Sequence, residues 1–257
     1  MTADYQAKKQ FLASMISVYG RKPALEMLED KSLSIHRLHL ADSNKPQGII
    51  KDIIRAAESR NVEILYHDRK ALSRISRNMK QDQGVVVDVH NAKMNLLSAG
   101  TLKSESAVGH WLLLDNVTNP QNVGMIIRSA AAAGINGLII PRQANASLNA
   151  LVVKSSAGTL FKAPILLCDT VTEALEVIQT QGLNIAVLAG EADDNLFNYA
   201  AKDKVGTVYV MGNESDGVSK ETRRAATHAL SIPMHNEVES LNVAVAASLV
   251  AYATQIR

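Results

Sequence analysis

Three polar loops in the second half of the chain carry side chains that could bind a small polar ligand and position a reacting hydroxyl. The first loop, Asn119-Pro120-Gln121-Asn122-Val123-Gly124, follows an apolar run and precedes a predicted helix that carries Arg128. In an open α/β sheet, ligands bind at the carboxyl ends of strands, where each strand connects to the next helix. Helical side chains lean toward the N-terminus, so Arg128 is predicted to project back toward this loop. Taken alone, the same residues would also serve as a turn, with Asn122 capping the helix.

The other two loops have the same setting, each directly after an apolar run. The second loop reads Gly212-Asn213-Glu214-Ser215-Asp216-Gly217, and its two glycines allow the backbone to approach a ligand closely. The third loop runs from Pro233 to Ser240. We predict that Ser240 is the N-cap of a final helix, which carries Asn242 in its first turn. Amides, one arginine, one glutamate and exposed backbone suit the binding of a polar cofactor and the alignment of a hydroxyl, without a covalent intermediate.

Several other kinds of chemistry lack their sequence patterns. No Gly-x-Gly-x-x-Gly fingerprint follows a strand, and Val218 and Ser219 stand where a nucleotide-triphosphate loop needs Lys and Ser or Thr. No Gly-x-Ser-x-Gly elbow is present. No Cys and His set has metal-ligand spacing, and His36 and His39 are expected to be surface residues of an alternating strand. We therefore expect no metal.

The elements that must position the three loops form an α/β domain, predicted over residues 107–257. Apolar strands alternate with helices, which predicts a mostly parallel sheet covered by helices on both faces. The predicted strands are 111–114, 137–140, 163–167, 185–189, 205–211 and 229–232, and the predicted helices are 123–133, 148–156, 171–180, 220–228 and 241–255. The last helix is apolar on most of its circumference, so we expect it in the core or in a dimer interface.

Residues 1–90 are predicted to form a smaller α/β domain of their own. Its helices are predicted at 17–28, 49–59 and 69–76, and its strands at 34–40, 62–66 and 85–89. Residues 91–106 lack periodicity and are interpreted as a linker.

Composition agrees with a cytoplasmic protein that has two compact domains. The chain is 47% hydrophobic and 20% charged, and it has a single cysteine, Cys168, as expected in a reducing compartment. No apolar stretch approaches the ~20 residues that span a bilayer. Residues 1–100 hold 16 Lys and Arg against 11 Asp and Glu, whereas the remainder is mildly acidic. A basic first domain is typical of a polyanion-binding module, although an ordinary solvated surface explains this balance equally well.

Together, the three loops resemble the three motifs of the SpoU (TrmH) family of RNA ribose 2′-O-methyltransferases, within the SPOUT superfamily. The motifs are Asn119-Pro120-x-Asn122-x-Gly124 with Arg128, then Gly212-Asn213-Glu214-x-x-Gly217, then Ile232-Pro233-Met234 with Ser240-Leu241-Asn242-Val243. In the first domain, residues 19–26 and 83–85 resemble the two ends of the family's L30e-like substrate-binding domain. Two positions depart from the pattern: Ser215 replaces a frequent glycine, and Asp82 replaces a histidine that commonly precedes Gln-Gly.

The resemblance implies a fold, a cofactor and a set of roles. It implies a C-terminal trefoil knot, a homodimer formed through the methyltransferase domain, and S-adenosylmethionine as the methyl donor. The implied catalytic residues are Arg128, Asn122, Glu214, Asn242 and Ser240. The implied cofactor-binding residues are Gly212, Ile232, Leu241, Met234, Ala189 and Gly190. Arg128 would either activate the ribose hydroxyl or hold the adjacent phosphate.

The implied substrate is RNA, which the basic first domain would bind. The expected RNA contacts are Arg21, Lys22, Arg74, Arg77, Lys80 and Asn119. The two-domain layout is similar to bacterial enzymes that methylate a guanosine of 23S ribosomal RNA. Three alternatives remain: a transfer RNA methyltransferase, a catalytically silent RNA-binding protein, and a small-molecule α/β enzyme.

Overall fold

The chain divides into two compact units. The computed structural model describes residues 8, 10–102, 109–203 and 205–255. The first unit ends at Ala92 and also includes Leu148–Val153, and the second unit comprises Lys93–Ser147 and the chain from Lys154 onward. In these described ranges, no helix has both the length and the apolar character needed to cross a membrane.

The first unit is built on a four-stranded mixed sheet in the order β1-β4-β2-β3. The strands are β1 (Met15–Tyr19), β2 (Ser34–Ala41), β3 (Glu63–His67) and β4 (Val85–His90), and the helices are α1 (Arg21–Glu29), α2 (Ile49–Glu58) and α3 (Arg69–Ser76). Strand β4 runs antiparallel to both neighbours, whereas β2 and β3 are parallel. Helix α2 buries Ile50, Ile53 and Ala57, whose spacing places them on one face of a helix.

The prediction of one helix over residues 17–28 is wrong in its first part. Residues Met15–Tyr19 form β1, and the chain turns at Gly20, which has a φ of 100°, before α1 begins. Strand β1 pairs with β4 over its whole length. This pairing outweighs the helical spacing of the short segment, as tertiary contacts often do.

The expectation that His39 lies on the surface is also wrong. His39 is 6% exposed, and its two ring nitrogens lie 2.9 Å from His67 Nε2 and 3.0 Å from Asp88 Oδ2. Strand β2 lies between β3 and β4, and each neighbour supplies one of these polar partners. Asp88 also accepts a hydrogen bond from the Ser17 hydroxyl at 2.6 Å.

The second unit is built on an eight-stranded sheet in the order β10-β12-β9-β11-β6-β7-β8-β5, in which every pair is parallel. The strands are β5 (Met94–Leu96), β6 (His110–Leu114), β7 (Gly137–Pro141), β8 (Ile165–Cys168), β9 (Asn184–Leu188), β10 (Asp194–Asn195), β11 (Thr207–Met211) and β12 (His228–Ser231). All six predicted strands of this domain are present, and the prediction of a parallel sheet is confirmed.

The helices that alternate with these strands along the chain are mostly the predicted ones. They are α4 (Ala99–Leu102), α5 (Pro120–Ala133), α6 (Ala150–Ser155), α7 (Val171–Thr180), α8 (Leu196–Ala200), α9 (Lys220–Ala225) and α10 (Val243–Ala253). The last helix is buried along most of its length and packs against α5, although Val245 and Tyr252 remain exposed.

The described part of the predicted linker is not an unstructured connection. Strand β5 pairs with β8, and Leu97 and Leu102 join the core beneath the parallel sheet. A three-residue strand is too short to show periodicity, which is why the sequence pattern missed it. Residues 103–106 of the predicted linker, and the predicted start of the second domain at residue 107, lie outside the described residues.

The order of the strands decides where the three polar loops meet. Strand β11 lies between β6 and β9, and β12 lies on the other side of β9. Because these four strands are parallel, their carboxyl ends share one edge of the sheet. The first loop follows β6, the second follows β11 and the third follows β12, so this edge gathers all three.

The buried hydrogen bonds of Asp88 give the first unit a pH-dependent stability. Burial alone would raise the pKa of Asp88, but hydrogen bonds from His39 and Ser17 outweigh it, and the pKa lies below its ordinary 3.8. A lowered folded-state pKa stabilises the fold above the ordinary pKa, and this contribution disappears as the pH falls through the folded value.

We expect Asp88→Asn to lower the free energy of unfolding at pH 7 by about 1–3 kcal/mol, because the variant loses charge-assisted hydrogen bonds. The difference from the unsubstituted protein should shrink as the pH falls below about 3.8. Urea unfolding at a series of pH values measures both effects. Asp42→Asn, at an exposed carboxylate, is the control and should cost less than about 0.5 kcal/mol. A difference that stays constant down to pH 3 would contradict the assignment.

Candidate functional site

A cavity of about 210 Å³ lies at the carboxyl edge of the parallel sheet in the second unit. Its walls come from the ends of β9, β11 and β12, from the loops that follow them, and from the start of α10. All six residues expected to bind a cofactor line it: Gly212, Ile232, Leu241, Met234, Ala189 and Gly190. The site therefore combines residues that are far apart in the sequence.

The lining of the cavity is mainly apolar with a few polar groups. The lining residues include the aliphatic Leu188, Val210 and Val243 and the acidic Glu214 and Glu239. Ligand pockets of ~300–1,000 Å³ usually have this composition, with a small number of polar groups that fix orientation. The cavity is smaller than that range.

Three of the predicted catalytic residues form one hydrogen-bonded cluster, which we call the Glu214 cluster. Glu214 Oε1 accepts hydrogen bonds from the side-chain amides of Asn122 and Asn242, the second at 2.9 Å. The Asn242 amide also donates to Asn122 Oδ1 at 3.3 Å. Asn122 is 4% exposed, so its amide is directed into the protein. The carboxylate of the second loop thus holds one residue from each of the other two motifs.

The position of Asn122 follows from the way α5 begins. The cap of this helix is Asn119, whose side chain accepts a hydrogen bond from the Gln121 amide, and Pro120 occupies the first helical position. The alternative in which Asn122 caps the helix is therefore wrong. Asn122 lies in the first turn, where its side chain reaches Glu214.

The position of Asn242 follows in the same way from the start of α10. Its Oδ1 accepts a hydrogen bond from the Ala244 amide at 2.9 Å, so Asn242 is the N-cap and its amide nitrogen faces Glu214. The prediction of Ser240 as the cap is wrong, because α10 begins at Val243. Ser240 lines the cavity as an exposed residue and makes no hydrogen bond to any described residue.

Arg128 stands apart from the Glu214 cluster. It is exposed on α5, and within the described ranges no hydrogen bond or ion pair involves it. It lies six residues after Asn122, about 9 Å further along the helix axis. Its guanidinium is therefore available to a ligand from solution, as is the exposed loop that contains Asn119.

The second loop is closed tightly on itself. The backbones of Asn213 and Gly217 exchange hydrogen bonds of 2.8 and 3.0 Å, and the Asn213 side-chain amide donates to the Asn116 carbonyl at 3.0 Å. A Cβ atom at Gly212 would come within 2.4 Å of the Gly217 backbone, so only glycine fits there. A residue larger than glycine at position 212 would therefore displace the loop that carries Glu214.

Two residues that sequence reasoning missed support this arrangement. Asn145, after β7, donates to the carbonyls of Leu114 and Pro141 and accepts from the Val117 amide. Asp115, directly after β6, is 1% exposed and accepts hydrogen bonds from three groups. A carboxylate immediately after an apolar strand was a visible signal for Asp115. No local signal identifies Asn145.

The basic residues of the first unit differ in how freely they could contact RNA. Lys22, Arg74, Arg77 and Lys80 are exposed. Arg21 is half-buried, and its guanidinium donates to the Asn44 side chain at 3.1 Å and to the Gln83 carbonyl at 3.4 Å. It therefore shapes the turn at Gln83 as well as adding positive charge.

Other reactive groups contribute little to the site. Within the described ranges, no group of three or more His, Cys, Asp and Glu residues could hold a metal ion. Cys168 is buried, and burial raises the pKa of its thiol to about 12, so little of it is the reactive thiolate at neutral pH.

Known proteins resemble this chain over most of its length. The family model described as SpoU rRNA Methylase family matches residues 109–252, and the model for RNA 2′-O ribose methyltransferase substrate binding matches residues 17–94. An uncharacterized tRNA/rRNA methyltransferase of Mycobacterium leprae is 32% identical over 91% of this chain and 75% of its own length. The 23S rRNA (guanosine-2′-O-)-methyltransferase RlmB of Xanthomonas axonopodis pv. citri is 32% identical over 80% of this chain and 82% of its own.

The fold is also shared with a solved structure. The SpoU methyltransferase AviRb of Streptomyces viridochromogenes, in complex with AdoMet, superposes with a TM-score of 0.67 at 22% identity, covering 99% of this chain and 92% of that one. The family model for the methylase covers more than half of the present sequence, including all three motif loops. This chain therefore belongs to the SpoU rRNA methylase family.

Proposed function

We propose that the protein transfers a methyl group from S-adenosylmethionine to a ribose 2′-hydroxyl in RNA. The observation that carries this proposal is the Glu214 cluster, which joins all three motif loops beside an apolar cavity. Family membership supports the same reaction. S-adenosylmethionine, when bound, supplies a methyl group that is already activated for transfer.

The cavity has the groups that such a cofactor needs. The backbone of Gly212, Ile232 and Leu241 would hold its polar edges, and the aliphatic walls would cover its adenine ring. Ala189 and Gly190 follow β9, where a Cβ at Gly190 would meet no atom within 4 Å. Met234 would pack beside the adenosine. AviRb, which shares this fold, was crystallised with the same cofactor.

Arg128 would act on the RNA side of the reaction. An arginine stays protonated in proteins, so it serves poorly as a literal base. Its exposed guanidinium would instead stabilise the developing ribose alkoxide or hold the neighbouring phosphate in a bidentate contact. Asn119, exposed at the start of the same helix, would contact the RNA backbone.

The Glu214 cluster would keep the site in a fixed geometry. Two amides that donate to one carboxylate oxygen fix the first turns of α5 and α10 relative to the second loop. Orientation of this kind lowers the entropic part of a barrier. Ser240 would complete the edge of the cavity nearest the third loop.

The favoured substrate is a guanosine of 23S ribosomal RNA. Its support is the likeness to RlmB and the match of the first unit to a substrate-binding model, which agrees with the L30e-like domain expected from the sequence. The rival is transfer RNA, since the mycobacterial relative is named for both RNA classes. Either RNA would place the protein in the cytoplasm.

We also propose that the protein is a homodimer with a knotted methyltransferase domain, as the motif resemblance implies. The support for a dimer is the exposed apolar set of Met125 on α5 with Val245 and Tyr252 on α10, two helices that pack together. The support for a knot is the insertion of β11 between β6 and β9, together with the shared pocket of the loops after β9, β11 and β12.

Labelled S-adenosylmethionine should transfer its methyl group to ribosomal RNA prepared from a strain that lacks the gene. The modified site should resist alkaline cleavage, because the 2′-hydroxyl is blocked. Arg128→Ala should lower kcat at least ~100-fold through loss of charge stabilisation, and Arg128→Lys should recover only part of it. Arg142→Ala, at an exposed arginine outside the motifs, is the control. Label found only in transfer RNA would move the function to the rival substrate, and no label in either RNA would refute the activity.

Variants of Glu214 separate its charge from its hydrogen bonds. Glu214→Ala removes the acceptor shared by Asn122 and Asn242, so we expect kcat to fall ~100-fold. Glu214→Gln keeps an oxygen for both amides and loses only the charge, so a loss nearer ~10-fold is expected. Steady-state kinetics with Glu221→Gln, an exposed control on α9, tests this order. Equal losses in both Glu214 variants would show that the charge, not the network, matters.

RNA affinity should depend steeply on salt through the first unit. Replacing Lys22, Arg74, Arg77 and Lys80 together with alanine should weaken binding, and each lost phosphate contact should reduce the slope of log K against log salt by roughly 0.7–0.9. Filter binding between 50 and 200 mM salt measures this slope. Lys51→Ala with Arg55→Ala, on exposed positions of α2, is the control. An unchanged slope would show that RNA binds elsewhere.

A further inference from the structure

A buried carboxylate at the carboxyl end of β6 holds the segment that follows the second loop. Oδ2 of Asp115 accepts hydrogen bonds from the Ser219 amide and from the Thr222 hydroxyl, both at 2.7 Å. Its Oδ1 accepts from the Asn116 side-chain amide at 3.2 Å. Thr222 is fully buried, so its hydroxyl has no access to bulk water. One carboxylate thus joins the end of β6 to the first turn of α9.

Short connections link the Asp115 hydrogen bonds to the second loop, which carries Glu214. Only Val218 separates Ser219 from Gly217, which exchanges backbone hydrogen bonds with Asn213. Asn213 in turn donates to the Asn116 carbonyl, next to Asp115 in the chain. Because Gly212 is packed against the closing end of the loop, a shift at Ser219 would displace the whole loop.

The same carboxylate lies on the segment that leads into the helix carrying Asn122 and Arg128. Strand β6 continues through the first loop into α5, which holds both residues. Asp115 therefore links two parts of the chain by hydrogen bonds. One is the segment that precedes Asn122, and the other is the segment that follows Glu214. Asn122 and Glu214 are the groups whose relative placement the Glu214 cluster requires.

We propose that Asp115 is a positioning residue for the methyl transfer: it sets Glu214 against Asn122 and holds the second-loop backbone in place along the cofactor cavity. This inference rests on the proposed function. It goes beyond that function by giving a role to a buried residue that is neither in the three motifs nor in the lining of the cavity.

A matched carboxylate distinguishes positioning from simple structural support. The side chain of Asp203 is 2% exposed and accepts hydrogen bonds from the Val205 and Gly206 amides and from the Thr207 hydroxyl. Like Asp115, it accepts from two amide N–H groups and one threonine hydroxyl, and it also lies 3.8 Å from His110 Nδ1. It lies before β11, at the opposite edge of the sheet from the cavity.

The test compares Asp115→Ala with Asp203→Ala in the full chain. Both variants should unfold at a lower temperature, since each leaves buried donors unpaired. Only Asp115→Ala should weaken binding of S-adenosylhomocysteine in calorimetry, by ~10-fold, and lower kcat by ~10–100-fold. The KM for RNA should stay within about twofold, because the basic surface of the first unit is unchanged.

Two further variants keep the test decisive. Asp115→Asn retains an oxygen for the Ser219 amide and should recover most of the lost affinity for S-adenosylhomocysteine. Thr222→Val removes one of the three donors and keeps the carboxylate. It should lower kcat by ~3–10-fold even if Asp115→Ala fails to fold.

The outcomes separate this inference from the proposed function. Equal losses of affinity and kcat in Asp115→Ala and Asp203→Ala would overturn the positioning role, as would wild-type kinetics in Asp115→Ala or, if that variant does not fold, in Thr222→Val. If the unsubstituted protein binds no S-adenosylhomocysteine and methylates no RNA, the proposed function itself fails. A loss confined to Asp115 variants, with recovery in Asp115→Asn, supports the inference.

Discussion

The parallel pairing of β11 between β6 and β9 is the constraint on which the rest of the second unit depends. Parallel strands need crossover connections, and the strand that occupies this place comes from far along the chain after β6. The entry of β11 brings the second loop between the ends of β6 and β9. Without this order, Glu214 would be separated from Asn122, and the cavity would lose one of its walls.

Much of the fold was predictable because its signals are local. Apolar runs such as Trp111–Leu114 identify buried strands, and the three polar loops follow such runs directly. The family resemblance of the three motifs then implied six of the residues that line the cavity. The strand order was not predictable in this way, because pairing depends on contacts between residues about a hundred positions apart, such as Thr207 with His110.

The errors have related physical causes. Ser240 and Asn242 are both good capping residues, and propensity alone could not choose the one whose side chain also meets Glu214. His39 alternates like a surface residue, yet its neighbours His67 and Asp88 come from strands on either side. In each case a partner from a distant part of the chain decided the outcome. Local rules fail where a polar group is satisfied by tertiary structure.

Asn242 serves two purposes with one amide group, and this has a consequence for how the site can change. Its oxygen caps α10 and its nitrogen donates to Glu214, so the helix and the Glu214 cluster share a single side chain. Active sites often carry residues that weaken the fold, which sets stability against activity during evolution. Here Asn242→Asp or Asn242→Ser would keep a cap for α10 but would remove the amide nitrogen that donates to Glu214. Among the residues favoured at an N-cap, only asparagine supplies both an accepting oxygen and a donating nitrogen, so any other residue type there loses at least one of these two bonds.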